Sequence, residues 1–193
     1  MKLLLKAVAM LFTLAAITPA IHAGSGPSIP QPPADVSSIG VIADAREPGQ
    51  RLEISGQVFA PNGTTPLPNV IVYAYQTDAM GEYHNDPNTR VARLHGWAKT
   101  DAQGHYAFHT IKPAPYPGRS IAAHVHIHVW GAGYPLQWTP ELFFAGDPFL
   151  KVDEIATSKG LGKFANVQPL QADAGGALSC IFNIRISTVS NYK

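Results

Sequence analysis

The chain has 193 residues and carries 14 Lys and Arg against 13 Asp and Glu, which gives a formal net charge of +1 at pH 7. A charge so close to zero, without a basic run or basic residues interleaved with aromatic ones, argues against nucleic acid and anionic membrane surfaces as partners. Cys180 is the single cysteine, which excludes an intrachain disulfide.

Residues 1–23 are predicted to be a secretory signal peptide. Lys2 and Lys6 precede the apolar run AVAMLFTLAAI, and small residues follow up to Ala20 and Ala23, which is the order of regions in a signal peptide. The apolar run is too short for a transmembrane helix. We therefore expect cleavage after Ala20 or Ala23 and a secreted or periplasmic protein that has no membrane partner afterwards.

The mature chain is predicted to begin with an arm and to continue as one domain. Residues 24–38 are rich in Pro, Ser and Gly and have no apolar period, which is typical of a linker or extended arm. Residues 39–193 are numerous enough to bury a sizeable core as a single domain.

This domain shows short β-prone runs separated by Gly, Pro, Asn and Asp. Residues 52–60 are predicted to be a strand with a bulge at Gly56, and Asn62-Gly63 to be the turn from which a strand returns over residues 70–76. Further strands are predicted over residues 96–99, 105–110, 121–130, 141–144 and 178–188, and one or two helical turns within residues 151–162. The sequence thus predicts an all-β fold, an antiparallel β-sandwich with long irregular loops.

The strand predicted at residues 121–130 (IAAHVHIHVW) carries three histidines in alternation. His124, His126 and His128 share one face, and the other face is aliphatic. Three charged imidazoles on one face would repel one another, whereas neutral imidazoles can bind zinc, copper, nickel or iron. We therefore predict a metal site on this face. The alternative is a strand whose histidines contact only water.

Two tyrosines in loop-like sequence are candidates for further ligands. Tyr83 follows a buried strand, and Tyr116 lies between Pro115 and Pro117, eight residues before His124. A phenol ordinarily ionises near pH 10, but a cation as acidic as Fe³⁺ can keep it deprotonated at neutral pH. Two tyrosinates with two histidines would favour ferric iron over zinc. For either tyrosine alone, a hydroxyl in solvent is the alternative.

Several segments, in order, resemble the intradiol ring-cleavage dioxygenases, a family that includes catechol 1,2-dioxygenase and protocatechuate 3,4-dioxygenase. They are GQV, PNV, YQTDAMGEY, TDAQGHYAFHTIKPAPYP, AAHVHIHV and LFFAGDP, within residues 56–148. The resemblance implies a ferric ion held by Tyr83, Tyr116, His124 and His126, with Tyr116 and His124 axial. It also implies a small exported member that uses O₂ to open a small aromatic diol between its two hydroxylated carbons, giving a muconate-type diacid.

The resemblance also suggests which residues act on the substrate. Tyr116, released from the metal, would take a catechol proton. The family's arginine usually lies three residues before the first histidine, where this chain has Ile121. Arg119, five residues before His124, is therefore the candidate to bind substrate and stabilise developing negative charge.

Independently of the resemblance, Trp97, Trp130 and Trp138 are candidates to line a pocket for an aromatic ring, and core packing is the alternative for at least two of them. Of the three, Trp97 is predicted to bind the substrate.

Two other classes of function stay open on the sequence. One is a non-catalytic exported β-sandwich that binds a metal or carbohydrate. The other is a zinc or copper enzyme whose ligands are His124, His126 and His128. A homo-oligomer is compatible with each of these.

Overall fold

The chain folds into two packed β-sheets in a computed structural model that describes residues 27–192. The predicted signal peptide, residues 1–23, lies outside this range. Within residues 27–192, no helix combines the length and the apolar character of a membrane span.

The first sheet contains six strands in the order β1-β5-β2-β11-β10, with β12 also paired to β2. Its strands are β1 (Ile39–Val41), β2 (Arg51–Phe59), β5 (His105–Ile111), β10 (Gln171–Ala172), β11 (Leu178–Ile181) and β12 (Ile184–Arg185).

The second sheet carries the histidines and has the order β4-β3-β6-β8-β9, with β7 also paired to β6. Its strands are β3 (Val70–Gln76), β4 (Leu94–Lys99), β6 (His124–Gly131), β7 (Tyr134–Trp138), β8 (Leu142–Phe144) and β9 (Val167–Gln168). A helix, α1 (Val152–Gly160), and a 3₁₀ helix (Gly162–Phe164) lie between β8 and β9.

The aliphatic face of β6 packs into the core between the sheets. Ala123, Val125, Ile127 and Val129 are each at most 2% exposed and belong to one hydrophobic cluster with residues of β2 and β5. This confirms the predicted division of the histidine strand into an apolar face and an imidazole face. The imidazole face is consequently turned away from the core.

The all-β class is confirmed, but the sheets are mixed rather than purely antiparallel. Strand β1 runs parallel to β5, β8 parallel to β9, and both β11 and β12 parallel to β2. No tight hairpin joins the partners of a parallel pair. Strands β8 and β9 are connected through α1 and the 3₁₀ helix, whereas strands of the second sheet lie between the partners of each of the other parallel pairs.

The predicted return of β2 into β3 is wrong. The turn after β2 forms, since Ala60 N donates to Thr65 O at 2.8 Å, but β3 lies in the other sheet, between β4 and β6. Strand β2 pairs instead with β5. A turn signal in the sequence shows that the chain reverses, but it does not show which sheet the next strand joins.

Gly56 does not form the predicted bulge. The pairing of β2 with β5 runs without a break from Arg51 opposite Ile111 to Gln57 opposite His105. A Cβ atom on Gly56 would lie 1.9 Å from the carbonyl oxygen of Phe182. Glycine is therefore required here because another backbone segment approaches closely.

The described part of the predicted arm is bound to the domain. Ser28 N donates to Arg90 O at 3.0 Å, and Ile29 packs against the aromatic cluster formed by Tyr73 and Tyr75. Further along, Lys99 N donates to Ser37 O at 2.8 Å. Ile29 thus packs on the outer face of the second sheet, and Ser37 binds to its edge strand β4.

We expect Gly56→Ala to destabilise the fold, because the new methyl group would overlap the Phe182 carbonyl. Overpacking of this kind costs about 1–3 kcal/mol, and more where the backbone cannot move. Urea denaturation should show a lower free energy of unfolding. Gly160→Ala is a suitable comparison, because a Cβ there meets no atom within 4 Å and its φ is not positive. A Gly56→Ala protein no less stable than Gly160→Ala would contradict this account.

Candidate metal centre

The four side chains predicted as metal ligands meet at one point above β6. The hydroxyl oxygens of Tyr83 and Tyr116 are 2.6 Å apart, and Tyr116 Oη is 3.1 Å from His124 Nε2. His124 Nε2 is in turn 3.1 Å from His126 Nε2. Two phenol oxygens and two imidazole nitrogens thus form a continuous set of neighbours.

The two histidines are held in place by their strand and by fixed ring contacts. His124 Nδ1 donates a hydrogen bond to Ala122 O at 2.7 Å. The Nε2 atom therefore carries the lone pair, which is directed at the other candidate metal ligands. The His126 ring stacks on Tyr75, with centroids 4.7 Å apart and an interplanar angle of 19°. Ala123 N donates to Asp147 Oδ2 at 3.0 Å and anchors the chain just before β6.

Tyr83 is supplied by a loop that Asp78 closes. Asp78 Oδ1 accepts from Met80 N at 2.8 Å and from Glu82 N at 3.1 Å. Tyr83 O accepts from Arg93 N at 3.0 Å, which ties the loop to the segment before β4.

The loop that carries Tyr83 and the proline-rich loop that carries Tyr116 interlock. Gly81 has φ +85°, and a Cβ there would lie 2.2 Å from Pro115 O. Asp78 O accepts from Ala114 N at 3.0 Å, and Thr77 Oγ1 donates to Ala114 O at 2.7 Å. The relative position of the two phenols therefore rests on direct contact between the loops.

Burial is the main influence on the protonation of three of the four candidate ligands, His126, Tyr83 and Tyr116. Burial, with a smaller contribution from His124 and His128, lowers the pKa of His126 to about 3, so this imidazole is neutral at pH 7. Burial also raises the pKa of Tyr83, and the hydrogen bond to Tyr116 raises it further. The pKa of Tyr116 is raised by burial as well, although its hydrogen bond with Tyr83 and the charge of Arg119 oppose this. A bound cation would have to displace the phenol protons.

This donor set fits a hard, strongly acidic cation. The single lone pair of His124 Nε2 faces both Tyr116 Oη and His126 Nε2 at 3.1 Å, an arrangement that one hydrogen bond cannot satisfy but one shared cation can. Metal bonds of about 2.0–2.1 Å at right angles place neighbouring donors roughly 2.9 Å apart, close to these separations. Anionic oxygens together with imidazoles suit Fe³⁺.

His128 does not join the other donors. It is 0% exposed, and its ring lies 4.0 Å from that of Trp138, centroid to centroid. Both ring nitrogens lack hydrogen-bond partners among the residues described. Within residues 27–192, no three His, Cys, Asp or Glu side chains converge as a metal site. The geometry thus gives no support to a centre built on all three histidines.

A cleft of about 510 Å³ opens beside the four donors. Arg119 lies at its rim, with its guanidinium carbon 6.0 Å from the centroid of the Tyr116 ring, whereas Ile121 is 40% exposed and does not line the cleft. Next to Arg119, a Cβ on Gly118 would meet no atom within 4 Å. The lining residues are Pro27, Tyr75, Gly81, Glu82, Tyr83, Asn85, Tyr116, Pro117, Arg119, His126 and Trp138.

The structure does not bring Trp97 to this cleft. Trp97 lies on β4, opposite Tyr73 of β3, which is opposite His128 of β6, so two strand spacings separate it from the histidine strand. Trp138, at the end of β7, lines the cleft instead. The sequence alone does not distinguish Trp138 from the other tryptophans. Trp138 reaches the site only because β7 pairs with β6.

Sequence reasoning also missed Tyr75. Its ring is 1% exposed and stacks on the ring of His126. Its position in β3 directly opposite His126 follows from the sheet register. The sequence does show that Tyr73 and Tyr75 lie on one face of β3. It does not show that β3 pairs with β6, which is what brings Tyr75 to His126.

Proteins of known class share this fold and sequence. A family model described as Dioxygenase matches residues 27–188. The protocatechuate 3,4-dioxygenase beta chain of Burkholderia cepacia is 35% identical over 121 residues, which are 55% of this chain and 50% of that protein. Catechol 1,2-dioxygenase 2 of Acinetobacter lwoffii is 31% identical over 138 residues, 62% of this chain and 50% of that protein. The chain spans about half the length of these curated relatives.

A solved structure matches over nearly its whole length. It is the dioxygenase domain of a dioxygenase and carbohydrate-binding protein fusion from the cellulolytic bacterium Streptomyces sp. SirexAA-E, with a TM-score of 0.63 and 25% identity. The match covers 87% of this chain and 97% of that one. Fold and sequence thus agree on the class of proteins that this chain is similar to, the dioxygenases. The chain belongs to the intradiol dioxygenase family, which confirms the resemblance found in the sequence.

We expect His126→Ala to weaken binding of added ferric ion by at least roughly tenfold, because it removes one of the four candidate donors, and loss of a group that merely orients a ligand by a hydrogen bond already costs about 10- to 100-fold. His128→Ala should retain binding within about threefold of the wild type, because neither ring nitrogen of His128 hydrogen-bonds to a candidate ligand. Metal content after gel filtration, together with a chelator competition titration, measures both. Loss of metal from His128→Ala, with its fold intact by circular dichroism, would contradict the four-residue ligand set.

Proposed function

We propose that this protein is an Fe³⁺-dependent intradiol dioxygenase that opens a catechol-type ring between its two hydroxylated carbons with O₂. The observation that carries the proposal is the meeting of Tyr83, Tyr116, His124 and His126 at separations of 2.6–3.1 Å beside an open cleft. Membership of the intradiol dioxygenase family supports the same reaction class.

Tyr83, Tyr116, His124 and His126 would hold the metal. When bound, Fe³⁺ supplies the Lewis acidity that stabilises a doubly deprotonated catechol, and a redox centre for the reaction with O₂. Two phenolates and two neutral imidazoles would leave this centre with one net positive charge, which suits an anionic substrate oxygen.

Tyr116 is the phenol best placed to exchange a proton with substrate. It is less buried than Tyr83, it lines the cleft, and Arg119 lies beside its ring. In its phenolate form, Tyr116 Oη would accept the proton of a catechol hydroxyl brought next to it. Tyr83, whose loop is tied down by Asp78, would remain in place.

The cleft walls would orient the aromatic ring. Trp138 and Pro117 offer apolar surfaces on the lining, and Tyr75 supports the His126 ring from below. The guanidinium of Arg119 at the rim would stabilise negative charge that develops on the ring during oxygen attack.

The proposal includes export from the cell. Export is supported only by the sequence of residues 1–23, in which basic residues are followed by an apolar run and then by small residues.

We expect the iron-loaded protein to be burgundy, because phenolate ligands give charge-transfer absorption near the middle of the visible range. It should consume about one O₂ per catechol and yield a diacid, measured with an oxygen electrode and by mass spectrometry. Catechol, 4-methylcatechol and protocatechuate are the substrates to compare. Tyr83→Phe removes one of the phenol oxygens and should change the colour and reduce oxygen uptake by at least roughly tenfold.

Two results would count against this proposal. A colourless protein with one zinc per chain would indicate a different metal centre. Iron-replete protein that consumes no O₂ with any of the three catechols would favour a non-catalytic exported binding protein on the same scaffold.

A further inference from the structure

The edge of β7 that faces away from β6 is bound by residues 190–192. Within the described part of the chain, β7 has a single strand neighbour, β6. Asn191 Oδ1 accepts a hydrogen bond from Trp138 N at 2.8 Å, and Asn191 Nδ2 donates to Trp138 O at 3.2 Å. Ser190 Oγ donates to Leu136 O at 2.6 Å. Alternate residues of an edge strand direct their backbone groups to the same side, so a side-chain amide and a hydroxyl here take the place of a neighbouring strand.

The ring of Trp138 is held as firmly as its backbone. The ring of Tyr192 stacks on it, with centroids 5.6 Å apart and an interplanar angle of 19°. His128, directly opposite Trp138 in the sheet register, has its ring centroid 4.0 Å from that of Trp138 and 5.7 Å from that of Tyr192. The three rings thus contact one another. The indole is bound by a buried ring of its own sheet and by a ring from residues 190–192.

Trp138 is the point at which these contacts reach the candidate metal centre. Its side chain lines the cleft beside the four donors, and its ring centroid lies 6.1 Å from that of His126. None of residues 190–192 is among the residues that line this cleft. Any influence of Asn191 and Tyr192 on a bound ring must therefore pass through Trp138.

Anchoring of the chain to β7 does not by itself explain these contacts. The side chain of Gln137, which is 4% exposed, already fastens the same segment. Gln137 Oε1 accepts from Ser187 N at 2.6 Å, and Gln137 Nε2 donates to Ser187 O at 3.0 Å. The further contacts of Asn191 and Tyr192 converge on the backbone and the ring of one residue, Trp138. Such convergence is what fixes the orientation of a side chain at a site.

We infer that Asn191 and Tyr192 are positioning residues that hold the indole of Trp138 as a fixed wall for the aromatic ring of the substrate. This inference rests on the proposed function, since it assumes that a catechol ring binds in this cleft. A wall already fixed in one orientation loses little side-chain freedom when the ring binds, which favours affinity. We therefore expect loss of either residue to act on substrate binding rather than on the chemical step.

Tyr192→Ala and Asn191→Leu test this inference in the iron-loaded protein. The first removes the stacked ring, and the second removes both hydrogen bonds to Trp138 at similar volume. In each variant KM for catechol should rise roughly three- to tenfold, the range expected for loss of an aromatic pair. The value of kcat and the iron content should change by less than about twofold, because no metal ligand is altered. Initial rates of oxygen uptake over a range of catechol concentrations give both constants.

A conservative variant and a matched control separate positioning from a general loss of structure. Tyr192→Phe keeps the stacked ring, so KM should stay within about twofold of the wild-type value. Val189→Ala changes an exposed side chain of the same segment, 69% exposed, and should leave both constants as they are. The melting temperature of each variant shows that it is folded.

Fluorescence measures the position of the indole without iron or substrate. The chain has three tryptophans, so Trp97→Phe combined with Trp130→Phe leaves Trp138 as the single reporter. Time-resolved anisotropy should show a more mobile indole when Tyr192→Ala is added to this background. Addition of Val189→Ala should leave the anisotropy unchanged.

The outcomes separate this inference from the proposed function. Wild-type KM in both Tyr192→Ala and Asn191→Leu, or a loss of iron that lowers kcat, would overturn the inference, while oxygenation of catechol by the wild type leaves the proposed function intact. An indole of Trp138 no more mobile in Tyr192→Ala would also overturn it. If the iron-loaded wild type oxygenates no catechol, the proposed function falls, together with the role of this wall toward a catechol ring.

Discussion

The alternation of side chains along β6 is the constraint on which the rest of the site depends. Its aliphatic residues are sealed between the two sheets, so that the strand cannot rotate or slip by one residue without burying its histidines in the core. Pairing with β3 on one side and β8 on the other fixes its position along the sheet. Two imidazoles are thereby held on a rigid strand, whereas the two phenols are carried by loops.

Those loops supply two phenols that are protonated when no cation is bound. The phenols keep their protons because of burial, and His126 stays neutral for the same reason. Binding of a trivalent cation must therefore release protons from the two tyrosines, which couples metal affinity to pH. A cation that is not acidic enough to displace these protons would meet two neutral phenols, which are poor ligands. Burial of the phenols thus contributes to selection of the metal.

Local patterns in the sequence pointed to side chains that the structure brings together, while long-range pairing decided the rest of the surroundings. His124 and His126 were recognisable because a strand alternates strictly, and Tyr116 because prolines on both sides indicated a fixed loop. The partner of β2 was not recognisable, since the turn at Asn62-Gly63 is followed by a strand of the opposite sheet. Trp138 reaches the site through the pairing of β7 with β6, which no local pattern reveals. Gly56 was misread for a related reason, because the Phe182 carbonyl that demands glycine comes from the far end of the chain.

The contact between Gly81 and the Pro115 carbonyl limits how this site can diversify. An insertion in either interlocked loop, or a side chain at Gly81, would displace both phenols together. A change in one loop is therefore tolerated only with a compensating change in the other. The rim at Gly118 is free of such contact, since a Cβ there would meet no atom within 4 Å. Single substitutions on the outer rim can therefore reshape the opening of the cleft, while the two phenol oxygens and the two imidazoles keep their positions.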